Sequence, residues 1–135
     1  MNFTAPVSQY MSSKLITLAP GDPLSMAIDL FRQHRIHHIL VVRHKQLLGI
    51  ISTFDINLRS SHDSNFLHEK VENIMTKGLA TLSSTDRLNV AIQLFSENLF
   101  HAIPVVDNDE VVGILTTLDI MKALTIEDNA RITAQ

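Results

Sequence analysis

Gly49-Ile50-Ile51-Ser52-Thr53-Phe54-Asp55 returns 64 residues later as Gly113-Ile114-Leu115-Thr116-Thr117-Leu118-Asp119. Each copy is a glycine and apolar residues leading into a hydroxyl residue, with an aspartate three positions on. That spacing marks a strand running directly into a helix N-terminus. Working outward, the same shift lays Val7–Ile56 on Val71–Ile120 without a gap, and 20 of the 50 positions are identical. Met11 falls on Met75, Asp22 on Asp86, Phe31 on Phe95 and His37 on His101. The period is longer than a solenoid unit and reads as a small supersecondary fold copied once. Two such copies packed together enclose a cleft with two similar faces, and function is expected there.

The 135-residue chain has the length of one domain. A repeat of roughly 50–60 residues buries little apolar surface alone, so the halves are expected to share a core. Hydrophobic content of 45% with 19% charged residues is that of an ordinary globular protein. No apolar run approaches the ~20 residues that span a bilayer, and the N-terminus lacks a charged start followed by an apolar stretch. The absence of cysteine removes disulfides and thiolate chemistry. These features predict a cytoplasmic protein. A net charge of -3 disfavours nucleic acid as the main partner, because neutralising phosphates needs a basic footprint. Residues 1–60 carry six Lys/Arg against three acids, and residues 61–135 carry five against eleven. That split suits head-to-tail pairing of subunits and makes a phosphate more welcome in the first half; two separately solvated surfaces would look the same.

The expected order in each repeat is strand, helix, strand, strand, helix, an α/β architecture with small, partly parallel sheets. In the first repeat, Leu15–Leu18 is a strand, and Asp22 caps a helix with Pro23 at its first position. Leu24, Ala27, Ile28 and Phe31 form the apolar stripe of that helix. Ile39–Val42 and Leu47–Ile51 follow around a polar turn, and Ser52 opens a helix to about Arg59. In the second, Leu79–Leu82 is a strand and Asp86 caps a helix through Phe100. A hairpin joins Ile103–Val106 to Val111–Leu115 across Asp107-Asn108-Asp109-Glu110, and Thr116 to about Leu124 closes the repeat. The boundaries are 1–60 for the first repeat, 61–70 for a linker, 71–125 for the second repeat, and 126–135 for a polar, frayed tail.

The chemistry of the repeated motif has two readings. In one, hydroxyl and aspartate form a capping box and bind nothing. In the other, free N–H groups and the positive helix end attract an anion. The carboxylate would then accept hydrogen bonds from the vicinal hydroxyls of a ribose, while apolar strand edges hold a base. Glycine on the strand would admit a ligand or a backbone at close range. Recurrence at one phase of the repeat favours the second reading.

Val-x-x-x-Met, a helix from Asp-x-Leu or its equivalent, a His-x-Ile-x-Val-Val strand and Gly-h-h-Ser/Thr-x-x-Asp together resemble the cystathionine-β-synthase (CBS) domain. Two in tandem resemble a Bateman module, over about residues 5–125. The resemblance implies two pseudo-symmetric β-α-β-β-α units, pairing of modules as a homodimer, and regulation by adenosyl ligands (AMP, ADP, ATP, S-adenosylmethionine or a dinucleotide). It puts the ribose-binding aspartates at Asp55 and Asp119, with the hydroxyl positions at Ser52 and Thr116 beside Thr53 and Thr117. Base-lining positions are Ile16, Thr17, Ile39 and Leu40 in one half, and Ala80, Thr81, Ile103 and Pro104 in the other. A basic pair often precedes the second strand; here it is His37-His38 in the first half but His101-Ala102 in the second. Phosphate-bearing ligands are therefore expected at the Asp55 site, with no metal required.

His34 and His38 have the i, i+4 spacing of a helical zinc site, but the repeat places His37 and His38 at a helix–strand junction where that spacing fails. Met11 and Met75 are expected in the core. There is no phosphate loop, nucleophile elbow or His-Glu-x-x-His motif. The sequence reads as a regulatory adenosyl-nucleotide sensor, not an enzyme, acting on an effector protein in trans. Its competitor is a structural dimerisation or scaffold module with a vestigial cleft.

Overall fold

The computed structural model describes residues 2–60, 65–98 and 101–134, with side chains described through 125. Two compact units emerge, one formed by residues 16–79 and the other by residues 1–15 together with 80–135.

In the 16–79 unit, β1 (Thr17–Leu18) leads to α1 (Leu24–His34), β2 (His38–Arg43), β3 (Gln46–Ser52) and α2 (Thr53–Ser60). Strand β1 is two residues long where four were expected, because only Thr17 and Leu18 reach β2, pairing in parallel with Leu40 and Val41. Helix α1 buries Leu24, Ala27 and Phe31 on one stripe. It ends where Arg35 turns left-handed at φ 52°, with Arg32 and His34 in the last turn beside the negative end of the dipole. Because α1 stops at His34, His34 and His38 do not share a helix.

The capping of α1 differs from the sequence expectation. Pro23 is the N-cap and Leu24 the first helical residue. Asp22 instead accepts a hydrogen bond on Oδ2 from the Ala19 N–H at 2.8 Å. The helix end is satisfied by main chain, the Leu24 N–H donating to the Glu69 carbonyl at 2.8 Å. Glu69 also takes a two-point ion pair from Arg59 in the last turn of α2, at 2.7 and 2.8 Å. Strands β2 and β3 form an antiparallel hairpin, and Ile50 exchanges backbone hydrogen bonds with Thr76 on its far side. Leu18, Leu24, Ala27, Phe31, Ile39, Val41, Ile51, Ile56 and Val71 make the core.

The second unit repeats the plan with α3 (Leu88–Asn98), β4 (Ala102–Asp107), β5 (Glu110–Thr116) and α4 (Thr117–Ala134). The strand expected at Leu79–Leu82 contracts to one parallel bridge, Leu82 to Val105. Asp86 closes a turn on the Ser83 N–H, as Asp22 does on Ala19. The α3 N-terminus is capped by carbonyls of the N-terminal segment: Leu88 N–H donates to Ala5 and Asn89 N–H to Phe3. Val7 lies at 0% exposure in this unit's core with Leu82, Leu88, Phe95, Ile103 and Leu115. Asp107 accepts from the Ser84 N–H at 2.9 Å; bonding to the Ser84 hydroxyl and N–H holds its carboxyl below the ordinary value.

The expected end of α3 at Phe100 and linker positions 61–64 lie outside the described residues. Helix α4 runs on to Ala134 where a frayed tail was expected after Leu124. No glycine or proline interrupts 117–134, so nothing local stops the helix.

Candidate functional site

Both repeated motifs fold as capping boxes. Ser52 Oγ accepts the Asp55 N–H at 3.1 Å, and Asp55 Oδ2 accepts the Ser52 N–H at 2.8 Å. Thr116 and Asp119 form the same pair at 3.1 and 2.8 Å. The first helical amides, Thr53 and Thr117, donate to the carbonyls of His37 and His101, both at 3.1 Å. These contacts pin the start of α2 to the start of β2, and the start of α4 to the start of β4. What remains available is specific. Asp55 and Asp119 each keep Oδ1 unbonded among the described residues, and the Ser52 and Thr116 hydroxyl protons are free to be donated. The second helical amides, of Phe54 and Leu118, also lack a partner among the described residues. The free amides that the sequence leads one to expect at the helix start are these two, since a capping box leaves its N2 position open. All four motif side chains are half-buried.

Strand register sorts the other candidates. Directly opposite residues of an antiparallel pair share a face, and neighbours along a strand alternate. His38 lies opposite Ser52 and Leu40 opposite Ile50, so His38, Leu40 and Ser52 share one face of the hairpin. Ala102, Pro104 and Thr116 are arranged likewise on β4 and β5. Thr17 reaches this group by pairing with Leu40.

Ile39 and Ile103 do not belong to it. Both are at 0% exposure inside the two cores, on the opposite face from the hydroxyls. Their side chains pack in the cores, on the face away from the hydroxyls. The remaining candidates are graded by exposure: Thr17, His37 and Thr81 are exposed, Ile16 and His38 half-buried, Leu40 and Pro104 buried.

The close approach at the motif glycines is also on the core side. A Cβ on Gly49 would stand 2.7 Å from Met75 Sδ and 2.8 Å from the Thr76 carbonyl. On Gly113 it would stand 2.5 Å from Met11 Sδ and 3.1 Å from the Ser12 carbonyl. Of the two uses foreseen for glycine, the close approach of a backbone is the one formed, and Met11 and Met75 pack against the cores as expected.

Among the described residues, no cluster of three His, Asp or Glu side chains is placed to hold a metal ion. No helix there is long and apolar enough to cross a membrane.

The family model for the CBS domain matches the chain twice, over residues 7–60 and 71–126. An uncharacterized protein of Methanocaldococcus jannaschii, MJ0188, is 31% identical over 120 residues, covering 87% of this chain and 43% of that protein. The chain thus spans less than half the length of that relative. The CBS domain-containing protein YhcV of Bacillus subtilis is 27% identical over 84% of this chain and 81% of its own. Among solved structures, the CBS domain pair of protein MJ0100, in complex with 5′-methylthioadenosine and S-adenosyl-L-methionine, superposes with a TM-score of 0.83 at 26% identity. That likeness covers 92% of this chain and 98% of the other.

Proposed function

The chain belongs to the CBS domain family, and we propose that it is a regulatory module that binds an adenosyl ligand and relays occupancy to a partner protein. The observation that supports this reading is the duplicated box at one phase of the repeat, each copy leaving a carboxylate oxygen, a hydroxyl proton and an amide unspent. Asp55 Oδ1 and Asp119 Oδ1 are suited to accept ribose hydroxyls. Ser52, Thr116 and the free amides of Phe54 and Leu118 are suited to an anion at a helix N-terminus. Thr17, Leu40 and Ile16 in one unit, and Thr81 and Pro104 in the other, are the apolar and polar neighbours for a base. The 26%-identical CBS pair that holds methylthioadenosine and S-adenosylmethionine supports the adenosyl class.

His38 stands opposite Ser52 where Ala102 stands opposite Thr116. With His37 beside it, the Asp55 site has the better phosphate contacts, and phosphorylated ligands prefer it. The ligand acts by differential affinity for two arrangements of the protein, one of which the partner reads. Chemistry on the ligand forms no part of this function.

The test is a thermal-shift screen with AMP, ADP, ATP, S-adenosylmethionine, NAD and cyclic dinucleotides. Ligand at 100 times Kd adds about 2.7 kcal/mol to the folded state, a rise of several degrees in Tm for a chain of this size. A clear shift with at least one adenosyl compound is the expected outcome.

A second reading has its own support. The boxes cap α2 and α4 without any ligand, and Phe54, Leu58, Leu118 and Met121 on those helices are 70%, 54%, 49% and 61% exposed. Apolar helical surface of that kind suits a dimerisation module with a vestigial site. No shift with any compound in the screen would select it.

A further inference from the structure

The two hairpin tips have the same backbone and opposite charge. Between β2 and β3 the turn is His44-Lys45, at φ 51° and 65°. Between β4 and β5 it is Asn108-Asp109, at φ 50° and 63°. The flanking pairs, Arg43 with Gln46 and Asp107 with Glu110, sit in equivalent register behind equivalent irregularities. One tip thus presents Arg43, His44 and Lys45, and the other presents Asp107, Asp109 and Glu110. All six are exposed except Asp107, which is half-buried. None of the six forms an ion pair among the described residues.

Left-handed backbone at two successive positions favours Asn, Asp and Gly. The acidic tip meets that preference with Asn108-Asp109. The basic tip holds the same conformation with His44, which tolerates it, and Lys45, which rarely adopts it. The twist of the hairpin closed by Arg43 and Gln46 holds that conformation, and among the described residues no carboxylate pairs with the basic tip. An exposed cluster of positive charge with no carboxylate paired to it among the described residues suits an anionic surface outside the chain. The chain itself supplies one of matching geometry, present wherever the basic tip is.

We propose that copies of this chain associate by setting the Arg43-His44-Lys45 tip of one against the Asp107-Asn108-Asp109-Glu110 tip of another. A contact of this size is weak and quickly reversed. Its opposite charges speed encounter and disfavour contacts between like tips. It is independent of whether an adenosyl ligand binds, and distinct from any association through the apolar faces of α2 and α4.

Sedimentation velocity over a range of protein concentrations, at about 20 mM and about 0.5 M salt, separates these. The Debye length falls from roughly 20 Å to roughly 4 Å between them. A concentration-dependent rise in sedimentation coefficient is expected at low salt and its loss at high salt. A dimer held by apolar helix faces persists at both. Two double variants complete the test. Arg43→Glu with Lys45→Glu makes both tips acidic, and Asp109→Lys with Glu110→Lys makes both basic. Each alone should lose the salt-sensitive step, and their equimolar mixture should regain it. The proposal is overturned if wild type shows no salt-sensitive association, or if either variant alone associates as wild type does. It is equally overturned if the mixture fails to associate while both variants keep the wild-type Tm.

Discussion

Asp55 is bound into its own helix, and that changes how its substitution must be read. Oδ2 accepts the Ser52 N–H at 2.8 Å, so Asp55→Ala removes half a capping box together with a candidate ligand contact. Loss of such a cap costs about 1 kcal/mol of stability. Asparagine separates the two roles, because its side-chain oxygen can still accept the Ser52 N–H while the negative charge is gone. Asp55→Asn is expected to keep Tm close to wild type yet weaken adenosyl-ligand binding by about 1–3 kcal/mol, the range for hydrogen bonds to a charged group. Isothermal titration beside a melting curve checks both halves. Unchanged affinity with unchanged Tm would leave Asp55 a cap and nothing more. The box itself was legible from the spacing of hydroxyl and aspartate. The side of the sheet that Ile39 takes was not, since an apolar residue in a run buried on both faces has no polar neighbour to reveal which face it takes.

Gly49 and Gly113 show how an element can be recognised while its neighbour goes unseen. Their strands are legible as apolar runs, but such a run says nothing about what approaches the strand from outside it. The approaching atoms differ in kind. At Gly49 a new Cβ meets the Thr76 carbonyl at 2.8 Å, backbone that is itself bonded to Ile50. At Gly113 the nearest atom is Met11 Sδ at 2.5 Å, the far end of a flexible side chain, and the carbonyl of Ser12 stands back at 3.1 Å. Gly49→Ala is therefore expected to destabilise by about 1–3 kcal/mol through overpacking. Gly113→Ala should cost less, because Met11 can rotate away and the alanine restricts the unfolded chain. Urea unfolding of the two variants measures the order, and an equal or greater loss at Gly113 would contradict it. Helix ends were the least legible part. Proline and aspartate before α1 look like a cap, yet the carbonyl that satisfies Leu24 comes from Glu69, 45 positions along the chain.

Over the whole molecule the repeat in sequence and the units in space are cut differently. The sequence matches run 7–60 and 71–126, whereas residues 1–15 pack with 80–135, and 16–79 stand together. A 64-residue shift shows that Val7 and Val71 are equivalent but is blind to which sheet each one serves. The structure assigns them crosswise: Val7 to the core around Leu88 and Ile103, Val71 to the core around Leu24 and Ile39, each at 0% exposure. Ser12 accordingly bridges Ile114, and Thr76 bridges Ile50. Truncating either valine removes two buried carbons at ~0.8 kcal/mol each and leaves a cavity, about 2 kcal/mol in all. Val7→Ala should then lower native-state hydrogen-exchange protection in β4 and β5, encoded about a hundred residues away, more than in β2 and β3. Val71→Ala should do the reverse, loosening strands that precede it in the chain. If each valine instead loosened the strands of its own sequence repeat, the crosswise packing would be wrong. Equal loss across all four strands would mean that the units open only together, against the separate cores from which this expectation is drawn.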